Sequence, residues 1–315
     1  MYVTSCRPER GVPPANWTVW ISNDGNPPPG NQAPAAVNPN LDGLTGLGAS
    51  QVVVFVHGFN NSELQAFNGC AQACGHYTNK QSLLKAGYQG PVVGFDWPTG
   101  SLSTIDPSAM LGLYKHDLGA AQSPGVPSFA DFLDKLTTGL ANAGTRVSLL
   151  AHSMGNFVAT RALMSNPALA SRLTDIYSFA PDILQTDVLR PELIAAGNAL
   201  QGRWFVYWAQ SDMILMTASN WANILLGTEV AGQDRLGQAG PPLGGGYSAN
   251  LVPQQWDGYM AMINDTNYDP TLGQWKSSAF THTGYWDSPA FWQNVALNLQ
   301  RPPLGDPIIA PQPCP

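Results

Sequence analysis

The chain has 315 residues and a formal charge of −7, with only 11% of residues charged and 44% hydrophobic. No basic cluster interrupts this balance, so the chain offers little to a phosphate backbone or an anionic membrane surface, and nucleic acid is not an expected partner. No apolar run approaches the roughly 20 residues of a membrane span, and 10 Trp, 10 Tyr and 11 Phe supply the apolar surface of a folded core.

The first fifty residues are rich in Pro, Gly and Asn, and they read as an extension ahead of a single domain over residues 51–315. Within them Trp17, Val19 and Ile21 alternate with Thr18 and Trp20, the pattern of a short edge strand. MYVTSCRPER does not have the basic-then-apolar layout of a signal peptide. Cys6 and Cys314 lie near opposite ends and permit a disulfide, whereas Cys70 and Cys74 are spaced as small apolar residues on one helical face. Neither pair has the second Cys/His pair of a structural zinc site, so no metal is expected. Low charge, many Asn, Gly, Pro and Trp, and possible disulfides lean towards a secreted or periplasmic protein, with a cytoplasmic one as the alternative.

From Gln51 the texture changes. QVVVFV (51–56), PVVGFD (91–96), RVSLLA (146–151), DIYSFA (175–180) and RWFVYWA (203–209) are short, continuous apolar runs, as strands buried on both faces should be. Helices are expected between them at about residues 62–86, 128–142, 154–166 and 183–196, with a last one near 288–299. This alternation predicts an α/β fold, a mostly parallel central sheet with helices on both faces. Residues 227–279, with GPPLGGGY at their centre, read as a loop or cap-like excursion over the sheet.

The strand over 146–151 runs into AHSMGN, which puts Ser153 at a strand-to-helix turn. The pattern approximates G-x-S-x-G, in which small residues two before and two after the serine let strand and helix approach while Oγ is lifted above the sheet. Ala151 and Gly155 fill those positions. The first central strand ends in VHGFNNS, where this arrangement aims backbone N–H groups at the nucleophile; the expected donors are the amides of Phe59 and Met154, with Asn60 as a possible contributor.

A serine nucleophile needs a base, and the chain has five histidines. His57 and His152 adjoin the loop and the nucleophile too closely to face Oγ, and His57 reads as the histidine that holds its loop. His76 and His116 precede the serine. His282, in FTHTGYWDSPAFW just before the last helix, fits the chain order nucleophile, acid, base. The acid that orients it should follow a late strand: Asp212, after RWFVYWAQ, leads, and Asp182 in SFAPDIL is the alternative, equally at home as a helix N-cap. Trp256, Tyr285 and Trp286 either line an apolar acyl or aryl site or pack in the core.

FVHGFNNS, the DW of GFDWPTG, LYKHDLGAAQS, LLAHSMGN, FAPDI, the SD of AQSDMIL, DRLGQAG and THTGYWDS occur in order from Val52 to about Asp287. On these the chain resembles the α/β-hydrolase superfamily, and within it a mostly bacterial branch of serine hydrolases. The resemblance implies the fold, a nucleophile at Ser153, an acid at Asp212 and a base at His282, with no cofactor. The expected activity is hydrolysis of a small-molecule or polymeric carboxylic ester. Acyl transfer or thioester cleavage by the same residues is the alternative, and a non-catalytic binding protein of the same fold stands behind both.

Overall fold

The computed structural model describes residues 2–5, 18–21, 48–59, 61, 76–100, 107–219, 233–256, 268–269, 274–275, 282, 284–286 and 288–309. Asn60, the four cysteines, Thr281 and, within the polar excursion, residues 227–232, 257–267, 270–273 and 276–279 lie outside them.

The β-branched and aromatic runs form strands β1 (Tyr2–Ser5), β2 (Thr18–Ile21), β3 (Gln51–Val56), β4 (Val92–Asp96), β5 (Arg146–His152), β6 (Ile176–Phe179), β7 (Trp204–Trp208) and β8 (Leu251–Gln255). The principal helices are α1 (His76–Lys85), α2 (Pro107–Ala120), α3 (Val126–Ala141), α4 (Gly155–Ser165), α5 (Pro191–Ala199) and α6 (Pro289–Gln300). The strands make one sheet in the order β2-β1-β4-β3-β5-β6-β7-β8, parallel throughout except for β2 against β1. In register, Gln51 faces Arg146 and Val56 faces Ala151 across the central pair.

Every strand expected between residues 51 and 209 is present. The edge strand expected at 17–21 is present as β2, and two others, β1 and β8, have weaker sequence signals. β1 and β2 fall among the first fifty residues and continue the sheet beyond β4. β8 falls inside the polar excursion, where, among the described residues, LVPQQ pairs only with β7 at the opposite edge and so needs neither a continuous apolar run nor freedom from proline. The helix expected over 183–196 is broken: a 3-10 turn at Gln185–Leu189 precedes α5, because Pro191 has no N–H to continue a helix and instead starts one at its first position. α2 is a helix that periodicity alone does not announce.

Alternate residues of each central strand feed separate cores. Val52, Val54, Val56, Leu149 and Ala151 join α3, α4 and α5 through Phe132, Leu136, Val158, Ala162 and Leu193. Val53, Phe55, Leu150, Tyr177, Phe179, Phe205 and Tyr207 join α1 and α6 through Leu83, Phe291, Trp292 and Val295. Each large apolar side chain buried this way contributes about 1.5–3 kcal/mol, and having both faces covered permits the strands to be apolar throughout. At the N-terminal edge of the sheet, Arg301 after α6 reaches the buried Asp175, Nη2 to Oδ1 at 3.0 Å, and ties the C-terminal segment to the sheet.

β3 and β5 are neighbours, but the chain leaves β3 towards β4 on one side and leaves β5 towards β6 on the other. Connections that part in opposite directions open a crevice at the C-terminal ends of the two strands, the usual location of a site in an open α/β sheet.

Candidate active site

That crevice contains Ser153. β5 ends at His152 and α4 begins at Gly155, so the chain turns within two residues. Ser153 adopts φ 51°, a left-handed conformation that costs a residue with a side chain about 1–3 kcal/mol. The surroundings over-determine it: its N–H donates to the Phe179 carbonyl at 3.2 Å, and its own carbonyl accepts from the amides of Asn156 (3.0 Å) and Asp182 (3.1 Å). The Asn156 side chain adds a bond from Nδ2 to the Ala151 carbonyl at 2.9 Å, which accounts for the asparagine closing AHSMGN. A Cβ at Gly155 would stand 2.5 Å from the carbonyl oxygens of Val56 and His57, so α4 can meet β3 only through a glycine.

The other side of the crevice is the loop after β3. His57 is buried and holds this loop rather than facing Ser153. Its Nδ1 bonds the Gly58 carbonyl at 2.8 Å, its Nε2 accepts from the Trp97 amide at 3.2 Å, and its ring stacks on Trp97. Neither the Phe59 nor the Met154 amide donates to another described residue. Met154 is the N-cap of α4, where main-chain N–H groups have no partner within the helix.

His282 Nε2 lies 2.9 Å from Ser153 Oγ, and His282 Nδ1 lies 2.8 Å from Asp212 Oδ2. Three residues that are 129 and 70 positions apart in sequence thus form one hydrogen-bonded chain. Asp212 follows β7 and is fully buried; its second oxygen accepts the Leu215 amide at 3.0 Å in the wide helical turn that begins there. Burial works against a charge on His282, but the Asp212 carboxylate opposes this by its charge and its hydrogen bond, and Asp182 adds a further attraction. The balance holds the imidazole pKa above the ordinary histidine value.

Asp182, the alternative acid, does not bond His282. Its carboxylate accepts from the Tyr114 hydroxyl at 3.1 Å and from the Ser219 hydroxyl, with Arg235 Nε at 3.4 Å. It therefore joins α2, the turn after Asp212 and the DRLGQAG segment beside the nucleophile turn. The tilted contact of Tyr114 with Phe59 extends this packing to the loop after β3. LYKHDLGAAQS and DRLGQAG mark the segments that hold Tyr114 and Arg235, but nothing in the sequence assigns either residue, or Ser219, to Asp182.

Of the two readings of the late aromatic residues, the burial of all three fits core packing and not site lining. Trp256 and Tyr285 are fully buried and Trp286 nearly so, all in the core between the sheet and α6; Trp256 and Tyr285 pack edge-on against Phe291. His116 lies exposed on α2, 2.8 Å from Asp117, away from the chain of Ser153, His282 and Asp212. Among the described residues no group of three His, Cys, Asp or Glu is arranged to hold a metal ion, and no helix is long and apolar enough to cross a membrane.

Among solved structures, lipase B of Aspergillus fumigatus is 13% identical with a TM-score of 0.44, over 84% of this chain and 55% of that one. This chain thus spans about half the length of that lipase. A dienelactone hydrolase-like promiscuous phosphotriesterase from metagenomic libraries is 12% identical with a TM-score of 0.34, over 79% and 86% of the two chains. A metagenome-derived lipolytic enzyme is 10% identical with a TM-score of 0.32, over 66% and 84%. No curated protein matches the chain in sequence. Residues 41–244 match the model of the family described as alpha/beta hydrolase of unknown function (DUF900), and the chain belongs to that family.

Proposed function

We propose that the protein is a serine hydrolase that cleaves carboxylic esters through an acyl-enzyme on Ser153. The observation that carries this reading is the unbroken hydrogen-bond chain from Ser153 Oγ through His282 to Asp212, built on a strained turn at the C-terminal end of the central strand. A serine that only capped α4 would need neither the left-handed conformation nor a buried imidazole at 2.9 Å.

In this mechanism Oγ attacks the acyl carbon as its proton passes to His282 Nε2. The carbonyl π electrons move to oxygen, and the resulting oxyanion is met by the amides of Phe59 and Met154. Each such donor is worth on the order of 2.7–4 kcal/mol in the transition state. Asp212 keeps the proton on Nδ1, so that Nε2 presents its lone pair to the serine, and it stabilises the imidazolium that forms. The tetrahedral species collapses, the C–O bond to the leaving group breaks, and the imidazolium gives its proton to the departing alkoxide. Water then attacks the acyl-serine with the same imidazole as base, releasing the acid and restoring the hydroxyl.

The test is hydrolysis of p-nitrophenyl esters over a range of acyl lengths, with wild type and Ser153→Ala compared, together with labelling by a fluorophosphonate probe. Turnover and labelling at Ser153 in the wild type, both lost in Ser153→Ala, are the expected result. Turnover that survives the substitution would overturn the reading.

A further inference from the structure

His152 takes no part in the proton chain just described, yet it touches the base. Its Nε2 lies 3.0 Å from the main-chain carbonyl oxygen of His282. A carbonyl only accepts, so this nitrogen carries the hydrogen and Nδ1 carries the lone pair. The consecutive residues His152 and Ser153 therefore grip His282 at two points, one at its main chain and one at its ring.

We infer that His152 is a positioning residue for the base: its Nε2–H holds the backbone of His282 where the imidazole reaches Ser153 Oγ. This inference rests on the serine-hydrolase reading above. The packing around His152 suits the task. Its ring meets Trp286 edge-on at 4.4 Å and Phe179 at 5.2 Å, which leaves the imidazole little freedom to turn. On its other side a Cβ built at Gly58 would fall 3.0 Å from Nδ1, so the loop after β3 closes directly against the ring.

A hydrocarbon side chain would fill this space equally well; what the imidazole adds is the donor. It must also remain neutral, because its ring centre is 4.9 Å from that of His282 and a second positive charge there would oppose the imidazolium formed during turnover. Burial, reinforced by the neighbouring charge of His282, holds the His152 pKa well below the ordinary histidine value, so the donor persists uncharged while His282 gains and loses its proton.

The decisive comparison is His152→Gln against His152→Met. The two side chains have nearly the same length and volume, but only glutamine places an N–H where Nε2 of the histidine stands. The methionine variant is expected to lose on the order of 10²-fold in kcat, the scale of a misplaced catalytic group, with KM little changed and fluorophosphonate labelling slowed in parallel. The glutamine variant is expected to regain most of that loss. Equal activity and labelling in the two variants would overturn the inference. Should neither fold, the wild type still decides: nuclear magnetic resonance of its ring nitrogens should report His152 as the neutral Nε2–H tautomer from about pH 5 to 8, and the other tautomer or a cation would overturn the inference. Ser153→Ala, assayed alongside, tests the hydrolase reading separately. The resonance measurement reads the His152 bond even if no ester is turned over.

Discussion

The main-chain amide of Asp182 donates to the carbonyl of Ser153 at 3.1 Å, while the Asp182 carboxylate points to Tyr114, Ser219 and Arg235 and leaves His282 to Asp212. The two buried carboxylates of the site thus have different work, and their amide variants should fail differently. On the proposed mechanism, Asp212→Asn is expected to fold with near wild-type stability and to lose about 10⁴-fold in kcat, as loss of the orienting acid does in serine triads. Asp182→Asn weakens the buried bonds that the Tyr114 and Ser219 hydroxyls and the Arg235 guanidinium make to one carboxylate, a loss on the order of 1–3 kcal/mol. It is expected to lower the urea midpoint while the folded fraction keeps most of its turnover. Wild-type activity in Asp212→Asn would reassign the acid.

Gly58 and Ser153 approach so closely that a Cβ at Gly58 would fall 2.9 Å from Ser153 Cβ and 3.2 Å from the His152 carbonyl oxygen. Gly58→Ala must push the loop after β3 away from the nucleophile, moving the Phe59 amide with it. Most of the core is remote from this contact, so circular dichroism should change little. The expected loss in kcat/KM is on the order of 10²-fold, the scale of an ångström-sized misplacement. An unimpaired Gly58→Ala enzyme would mean that the Phe59 amide is not an oxyanion donor.

Most of this site is legible in the sequence because its parts are local. A serine between an apolar strand and a helix, an H-G-F exit from the first central strand, and a histidine just before the last helix each have a short pattern with a physical cause. What escapes depends on tertiary contact. Nothing adjacent in sequence to Tyr114, Ser219 or Arg235 indicates that the three converge on Asp182. Trp256, Tyr285 and Trp286 are apolar whether they line a site or fill a core, and only their burial against α6 decides. β8 is similarly hidden, since an edge strand pairing along one side tolerates the polar LVPQQ.

The acid limb of the pH–rate profile should report His282. A general base must be neutral, and the Asp212 carboxylate, outweighing the effect of burial, raises the pKa of this imidazole. The fall in kcat/KM with decreasing pH is therefore expected to centre above the ordinary histidine value of about 6.5. Removing the charge in Asp212→Asn should move the limb to lower pH in whatever activity remains. The stability contribution has the opposite sense: with a folded pKa above the unfolded one, it is fully present below the unfolded value and fades as pH rises through the folded one. A wild-type limb centred below the ordinary value would contradict the pairing with Asp212.

The contact of Arg301 with Asp175 predicts a stability effect that leaves the chemistry intact. Asp175 Oδ1 accepts from Arg301 Nη2 at 3.0 Å and from the Arg203 amide at 2.7 Å, at the end of the sheet opposite Ser153. Burial raises the pKa of this carboxyl, although the Arg203 amide and the Arg301 charge pull the other way. Arg301→Met keeps much of the side-chain volume but leaves the carboxylate without its cation, a loss of about 3–5 kcal/mol at neutral pH. Protonating Asp175 removes the unpaired charge, so the gap between variant and wild type in urea midpoint should narrow as pH falls through the raised pKa. Turnover per folded molecule should stay at the wild-type level, since no bond of Ser153, His282 or Asp212 is touched. A gap of constant size from neutral to acid pH would show that Arg301 acts by packing over the Phe205 ring, 5.4 Å from its guanidinium, and not by its charge.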